Sequence, residues 1–300
     1  MATPAPYPKV FVIAVEEALS QLGLKIKEWD DEHLSVVDDK EKESKVYLGN
    51  LFRRTQTHPP DDWSDMALHF LKHITAPMDD IPDDLTKCPS QLMPRIGQPI
   101  DIPQAKEKPW FEPLNDTDLC LNLVIDYPDR MAYVMERMME ASGSSSQPWI
   151  DQAMDNLTDR TPKEWVHVID EDSGISCSTV NDSYDAARSL ILDRLMPDDA
   201  EFGFFVLPLG RDHLFFMPVT QETMTKVHVL RMLGQSNFRK TPYAISEEVY
   251  WVHDGAWYLF PIEVKDEKVI VTPPEAFLHV LNLVEEGIEE GEEDNEVDDL

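Results

Sequence analysis

Two nearly continuous apolar runs near the middle of the chain constrain its fold more than any other feature. The runs cover residues 202–207 and 213–217, and a polar loop that contains Gly210, Arg211 and Asp212 separates them. Aromatic and branched residues favour strands, and a short loop with glycine favours an antiparallel hairpin. Because both runs are nearly continuous in apolar residues, the pattern predicts a hairpin at the centre of the core, at least part of which is covered on both faces.

Hydrophobic spacing predicts helices and further strands around this hairpin. The predicted helices cover residues 11–22, 61–74, 131–139, 182–196, 221–233 and 272–284. The predicted strands outside the hairpin cover residues 34–37, 45–52, 119–126, 165–169, 249–252, 257–260 and 268–271. The order helix, strand, strand, helix occurs twice, in residues 8–76 and 182–233. The mixture predicts an α+β fold with helices packed on antiparallel sheets.

The distribution of proline and charge predicts the domain limits. Residues 1–76 form a small α+β module in this prediction, and residues 119–284 form the main α+β domain. The segment between them, residues 77–118, is rich in proline, which predicts an ordered, extended connector without regular elements. Residues 285–300 carry many acidic residues and no basic one, so they are predicted to be a disordered acidic tail.

The net charge of −32 limits the classes of partner. Such a field repels phosphate backbones and anionic lipid head groups, so we expect no nucleic-acid and no membrane-surface partner. No apolar run approaches the roughly 20 residues that span a bilayer. The cysteines Cys88, Cys120 and Cys177 form no CxxC motif, which favours a reducing compartment. These features predict a soluble cytoplasmic protein whose partner is another protein. The main interpretation of the charge is a solubilising surface, and the alternative is a basic partner or mimicry of nucleic acid.

Short motifs resemble the YtpQ-like family of uncharacterised bacterial proteins. The motifs are residues 92–96, residues 121–139 and the segment Ser183–Arg188 that leads into the central hairpin, and the resemblance covers about residues 85–262. The chain departs from the family at Ser183, where the family more often has glycine, and in its serine-rich insertion and acidic tail. The family has no established activity, so the resemblance implies a fold and supplies no catalytic residues.

Motifs for catalysis, cofactors or metals are incomplete in this chain. Residues 174–178 lack the second glycine of a GxSxG elbow, and no glycine-rich phosphate loop is present. His69 and His73 have the spacing of a helical metal pair, but no third ligand follows from spacing, so we interpret them as a surface pair. Cys177 and His167 would form a thiolate pair only if the fold brought them together, and a half-buried cysteine is the simpler interpretation.

Polar residues around the central hairpin are the candidate contacts for a ligand or partner. These residues are Tyr184, Asp185, Arg188, Arg211 and His213. Arg188 is interpreted as a structural clamp that pairs with Asp185 or Glu222, and the alternative is a pocket for an acidic ligand. The methionines of the predicted helix 131–139 form either core or an adaptable peptide-binding face.

The functional prediction is a non-catalytic protein-binding or adaptor protein without a cofactor or metal. One alternative is a hydrolase or metal-dependent enzyme that uses scattered carboxylates with His69, His73, His167 or His213. A second alternative is an acidic immunity-type or nucleic-acid-mimic protein that neutralises a basic partner by its charge. An apolar groove should bind in a salt-tolerant way, whereas charge mimicry should weaken steeply with salt.

Overall fold

The computed structural model describes residues 7–29, 33–75, 81–100, 107–115, 117–128, 130–143, 145–265 and 268–283. The chain divides into two compact units, one formed by Met1–Ile81 with Pro128–Arg130 and one formed by Pro82–Tyr127 with Met131–Leu300. Helices and antiparallel sheets together make an α+β protein, as predicted. No helix in the described ranges is long and apolar enough to cross a membrane. The predicted acidic tail, residues 285–300, lies outside the described residues.

The first unit combines three helices with a three-stranded antiparallel sheet of order β1-β2-β3. The helices are α1 (Lys9–Gln21), α2 (Gly49–Thr55) and α3 (Trp63–Thr75). The strands are β1 (Lys25–Trp29), β2 (Leu34–Val37) and β3 (Glu43–Val46). The strand predicted over residues 45–52 ends at Val46, because the following residues form α2. Strand β1 was not predicted, since most of its side chains are exposed.

Aromatic side chains from all three helices hold the core of the first unit. The ring centroid of Phe11 lies 5.1 Å from that of Phe52 and 6.2 Å from that of Trp63. Leu71 is fully buried on the same face of α3 as Trp63. Burial of such side chains stabilises a fold by about 1.5–3 kcal/mol each. The core contacts of this face determine the orientation of α3, and His69 lies on the exposed side of the helix.

The main sheet of the second unit has the strand order β13-β12-β10-β11-β9-β8, and every pairing is antiparallel. Its strands are β8 (Val166–Asp170), β9 (Ile175–Ser178), β10 (Phe204–Gly210), β11 (His213–Pro218), β12 (Tyr250–His253) and β13 (Ala256–Leu259). Every residue of β10 is buried, and β10 with β11 forms the two middle strands. The prediction of a central hairpin that is at least partly covered on both faces is therefore confirmed.

A second sheet of this unit has β6 at its centre, with β4 on one edge and β5 and β7 on the other. Its strands are β4 (Leu92–Gly97), β5 (Phe111–Pro113), β6 (Cys120–Asp126) and β7 (Met131–Tyr133). The prediction that residues 77–118 lack regular elements is therefore wrong. Pro94 is tolerated because β4 is an edge strand, where a missing N–H need not break a ladder.

The remaining elements of the second unit are helices and one further hairpin. The helices are α4 (Glu136–Ala141), α5 (Gln147–Arg160), α6 (Leu192–Leu195), α7 (Gln221–Lys226), α8 (His228–Asn237) and α9 (275–283). The hairpin pairs β14 (Ile262–Lys265) with β15 (Lys268–Val271). The predicted helix 131–139 begins only at Glu136, because the residues before it pair with β6 as β7. The predicted helix 221–233 is divided into α7 and α8.

The predicted helix over residues 182–196 is wrong for its first half. Asn181 and Ser183 have φ angles of 57° and 75°, which a right-handed helix does not allow. The chain turns there, then forms a short 3₁₀ helix over Ala186–Leu190 and the single turn of α6. A cluster of buried charges explains this local structure.

Candidate functional site

Arg188 is fully buried, and hydrogen bonds hold its guanidinium group from several sides. Its Nη1 and Nη2 each donate to a carboxylate oxygen of Asp182 at 2.9 Å. Its Nε donates to the Thr161 hydroxyl at 3.2 Å, and Nη1 lies 3.4 Å from Oδ1 of Asp185. Two parallel bonds between a guanidinium and a carboxylate are among the strongest hydrogen bonds in proteins. Arg188 therefore acts as a clamp with Asp182 and Asp185, whereas Glu222 pairs with Lys226.

Asp185 organises the turn that precedes the 3₁₀ helix. Its Oδ1 accepts hydrogen bonds from the Ser178 hydroxyl and from the Val180 amide, the latter at 3.2 Å. Its Oδ2 accepts from the Asn181 amide at 2.8 Å. These bonds join the end of β9 to the turn. Two of them come from the backbone amides of Val180 and Asn181, which lie before the start of the predicted helix. The side chain of Asp185 thus replaces regular helical bonding at this point.

The two carboxyl groups of the clamp have opposite pKa shifts. Burial disfavours the charged form of both groups. At Asp185 burial dominates and raises the pKa, although Ser178 and Arg188 act against it. At Asp182 burial also acts to raise the pKa, but the bonds and charge of Arg188 outweigh it and leave the pKa lowered. Asp182 is therefore the main anionic partner of Arg188.

Tyr184 and Arg160 extend the cluster. The guanidinium of Arg160 lies 5.0 Å from the centroid of the Tyr184 ring. Arg160 also pairs with Asp126 and, at 3.1 Å, with Asp182. Burial first and the charge of Asp126 second raise the pKa of Tyr184, which keeps its phenol neutral. We name the group formed by Asp126, Arg160, Asp182, Tyr184, Asp185 and Arg188 the Arg188 cluster.

The Arg211 loop of the central hairpin contacts the same region through its backbone. The carbonyl oxygen of Arg211 accepts a hydrogen bond from the Ala186 amide at 3.2 Å. The guanidinium of Arg211 stacks 3.8 Å from the ring centroid of Tyr243, and it pairs with Asp212 at 3.0 Å. His213 begins β11, and its Nδ1 is buried without a hydrogen-bond partner among the described residues. Arg211 is therefore occupied by its own neighbours.

The charged groups of the Arg188 cluster pair with one another. Each charged group in it has an opposite charge within 4 Å. An acidic ligand would have to displace Asp182 from its two hydrogen bonds with the fully buried guanidinium of Arg188. The geometry therefore favours the clamp interpretation of Arg188 over a ligand pocket.

A different place in the second unit offers an open cavity, which we name the Trp110 pocket. Its volume is about 450 Å³, and it is lined by Trp110, Glu136, Met139, Glu140, Gly143, Ser145 and Ser146. The amide of Trp110 donates to the Val134 carbonyl at 2.8 Å, and the Glu136 amide donates to the Lys108 carbonyl at 3.0 Å. These two bonds hold the proline-rich segment beside the start of α4. Sequence reasoning missed the pocket as a site, although the tryptophan in a proline-rich stretch was a signal.

Trp110 and Met139 form an apolar part of the wall of the Trp110 pocket, and Glu136 and Glu140 add two acidic side chains to its lining. Met139 is buried, and Trp110 is half-buried. Glu136 and Glu140 are one helical turn apart on α4, and both are exposed. Of the methionines in the predicted helix 131–139, for which core and an adaptable face are the two interpretations, Met138 is fully buried and belongs to the core. Met139 is also buried, and unlike Met138 it lines the pocket.

The histidines and the cysteine that are candidates for catalysis or metal binding include two pairs, one on α3 and one in the main sheet. His69 and His73 lie on α3 with their Nε2 atoms 3.0 Å apart. His167 lies opposite Cys177 in the pairing of β8 with β9. Burial and the charge of Asp185 raise the pKa of Cys177, which favours the unreactive thiol. In the described residues no group of three or more His, Cys, Asp or Glu side chains is arranged to hold a metal ion.

The near-match to a nucleophile elbow is a continuous strand. Ser176 is buried in β9, and the strand runs on to Ser178. A nucleophile elbow needs a sharp turn from strand to helix directly at the serine. The segment therefore lacks the local geometry that exposes a catalytic serine.

Comparison of the chain with family models, curated proteins and solved structures gave no match. The resemblance to the YtpQ-like family therefore stays a prediction. The geometry of the Arg188 cluster and of the Trp110 pocket is the basis for a functional proposal.

Proposed function

We propose that this chain is a protein-binding module that recognises a lysine or arginine side chain of a partner protein in the Trp110 pocket. The observation that carries the proposal is the combination of an apolar wall and two carboxylates around one open cavity of about 450 Å³. Lysine and arginine have the matching chemistry, since an apolar stem carries a cationic head. The Arg188 cluster keeps a structural role in this proposal.

The apolar wall suits the stem of a basic side chain. Trp110 presents an aromatic ring, and a cation over such a ring gains about 0.5–2 kcal/mol, depending on how far it is desolvated. Met139 adds an unbranched thioether, which adapts to the shape of a long alkyl chain. Both side chains line the same cavity, so one inserted side chain contacts both.

The acidic rim has no cationic partner among the residues that the structure describes. Neither Glu136 nor Glu140 forms an ion pair with a described residue. Arg137, between them in sequence, pairs with Glu107 at 2.8 Å and with Asp83 at 3.5 Å. Like charges four residues apart destabilise a helix by about 0.2–0.5 kcal/mol. A basic side chain from a partner would remove this repulsion and form charge-assisted hydrogen bonds.

The net charge of −32 supports the same partner class. A strongly negative surface raises the local concentration of a basic partner and speeds its association. The overall charge does not determine where on the surface a partner binds, whereas the pocket provides a defined position. The proposal therefore separates a salt-sensitive attraction to the whole surface from a local contact at Trp110.

The test is a titration of the full chain with capped Gly-Ser peptides that contain one central arginine or one central lysine. The same peptide with neutral citrulline is the ligand control. We expect the arginine and lysine peptides to shift the NMR signal of the Trp110 indole N–H, which is assigned by its loss in Trp110→Phe. Citrulline should leave this signal in place.

Two variants with the same change in net charge locate the interaction. Glu136→Gln with Glu140→Gln removes both rim charges, whereas Glu16→Gln with Glu28→Gln removes two exposed charges outside the pocket lining. Only the rim variant should lose the indole shift. If both variants weaken binding equally, the attraction is that of a charge mimic and the pocket proposal is wrong. An unchanged indole signal in the wild-type chain also overturns it.

A further inference from the structure

His69 and His73 form a close pair on α3 in the first unit. Their Nε2 atoms lie 3.0 Å apart, and the ring centroids are separated by 4.1 Å at an interplanar angle of 64°. His69 is exposed and His73 is half-buried. The core contacts of Trp63 and Leu71 fix the orientation of α3. The pair is therefore held on a helix that cannot rotate away from solvent.

The distance between the two nitrogens fits two neighbouring positions around one metal ion. Metal–imidazole bonds are about 2.0–2.1 Å long, so nitrogens at a 90° angle lie about 2.9 Å apart and nitrogens in a tetrahedral site about 3.3 Å apart. The observed 3.0 Å, which is also the length of a hydrogen bond in the metal-free chain, lies nearer the value for the right angle. Square-planar and octahedral sites have this angle, and with nitrogen ligands they are typical of Cu²⁺ and Ni²⁺.

We infer that His69 and His73 are a two-histidine chelate for a divalent transition-metal ion, with Cu²⁺ and Ni²⁺ favoured over Zn²⁺. In the apo protein the Nε2–H of one neutral imidazole donates to Nε2 of the other ring. When the metal ion binds, this proton moves through solvent to Nδ1 of the same ring, so that both rings stay neutral and both Nε2 lone pairs are available. Both Nε2 atoms then donate a lone pair to the ion. Binding needs both rings neutral, so it weakens as the pH falls.

Two ligands, His69 and His73, come from the part of the chain that the structure describes. Within the described ranges no third His, Cys, Asp or Glu completes a metal-binding group. A cavity of about 370 Å³ begins beside His69 and is lined also by Asp65 and Arg54. Water or a donor group from a second molecule occupies the other positions on the ion. The inference concerns the first unit and does not depend on the Trp110 pocket.

The test is isothermal titration of the full chain with NiCl₂, repeated with CuCl₂, in a non-chelating buffer that contains excess MgCl₂. Magnesium prefers oxygen ligands, so its excess competes for the surface carboxylates and leaves imidazole pairs available. We expect one ion per chain, and His69→Gln or His73→Gln should each weaken the binding by about tenfold or more, because one imidazole remains. The exposed helical histidine His279 provides the control His279→Gln, which should bind as the wild type does.

A spectroscopic measurement distinguishes a chelate from any indirect effect of the substitutions. The electron paramagnetic resonance spectrum of the Cu²⁺ complex should show coupling to two nitrogens in the wild type and to one in His69→Gln. Circular dichroism checks that α3 persists, and glutamine at an exposed helical position should preserve it. Absence of saturable binding, or equal binding by the wild type and both histidine variants, would show that the pair forms only a hydrogen bond.

Discussion

The Arg188 cluster and the Trp110 pocket both contain closely spaced carboxylates, but they place them in opposite surroundings. In the cluster Asp182 and Asp185 contact a guanidinium that is fully buried. In the pocket Glu136 and Glu140 are exposed, and no described cation pairs with them. Buried charges need partners within the fold, whereas exposed charges are left for water or another molecule. The comparison separates charges that determine the fold from charges that are available for binding.

The largest effect is expected when the cluster loses its central cation. Arg188→Met should lower the free energy of unfolding by about 3–5 kcal/mol, because Asp185 would remain buried with less compensation. Urea denaturation measures this change. Arg194→Met removes the exposed pair with Asp155 and should change stability by less than about 1 kcal/mol. Similar effects of the two substitutions would mean that the cluster does not hold the fold together.

The pH dependence of the cluster should follow Asp182. Its pKa is lowered in the folded state, so its stabilising effect is complete above the unfolded pKa of about 3.9 and is lost as the pH falls through the folded value. Asp182→Asn should cost about 1–3 kcal/mol at neutral pH and less at low pH. The pKa of Asp185 is raised in the folded state, because the buried carboxyl binds a proton more tightly there. Its contribution to stability therefore has the opposite pH dependence: it is present at low pH and is lost as the pH rises through the folded pKa.

Urea midpoints of the wild type and Asp182→Asn between pH 7 and pH 3 measure this dependence. The gap between the two proteins should narrow as the acid range is reached. A gap that stays constant over the whole range would contradict the assignment of Asp182 as the main anionic partner of Arg188.

A smaller effect, a gain in the free energy of unfolding, is expected at the turn before the 3₁₀ helix. Ser183 has a φ of 75°, which glycine adopts at less cost than serine. Ser183→Gly should stabilise the chain by about 0.5–1 kcal/mol in thermal or urea denaturation. Ser20→Gly, in the exposed face of α1, should instead destabilise it by about 0.5 kcal/mol. Loss of stability at both positions would refute the strain at Ser183.

The smallest effect on stability is expected at the pocket rim. Glu136→Gln with Glu140→Gln removes a like-charge pair on α4, so unfolding free energy should rise by only about 0.2–0.5 kcal/mol. Urea denaturation gives this value, and the double substitution Glu16→Gln with Glu28→Gln corrects for the change in net charge. A clear destabilisation at the rim would show that these carboxylates have a structural role like those of the cluster.

The sequence predicted the central hairpin because its apolar runs carry information about both faces of two strands. The turn at Asp254 and Gly255 was likewise predictable, and both residues have the positive φ angles of a tight hairpin turn. The helix expected at residue 182 failed for a local reason. Its apolar spacing is real, but the Asp185 side chain binds the amides of Val180 and Asn181 and fixes a turn.

Other features depend on contacts that are distant in sequence and could not be predicted. Met131 begins a strand only because β6 offers a pairing edge there. Trp110 meets Glu136 and Glu140 because backbone bonds place the proline-rich segment beside α4. The partner of Arg188 was predicted in part, since Asp185 is present but the bidentate partner is Asp182. Sequence spacing alone does not reveal which of several nearby carboxylates faces a buried cation.

The most direct test of the central claim is the dissociation constant of the single-arginine peptide for the wild type and for the double variant at Glu136 and Glu140. Titration of the Trp110 indole signal gives both values under the same conditions. We predict that the rim variant binds at least about tenfold more weakly, a difference of about 1.4 kcal/mol, with its stability intact. Equal dissociation constants would contradict the claim that these exposed carboxylates are the binding charges of the protein.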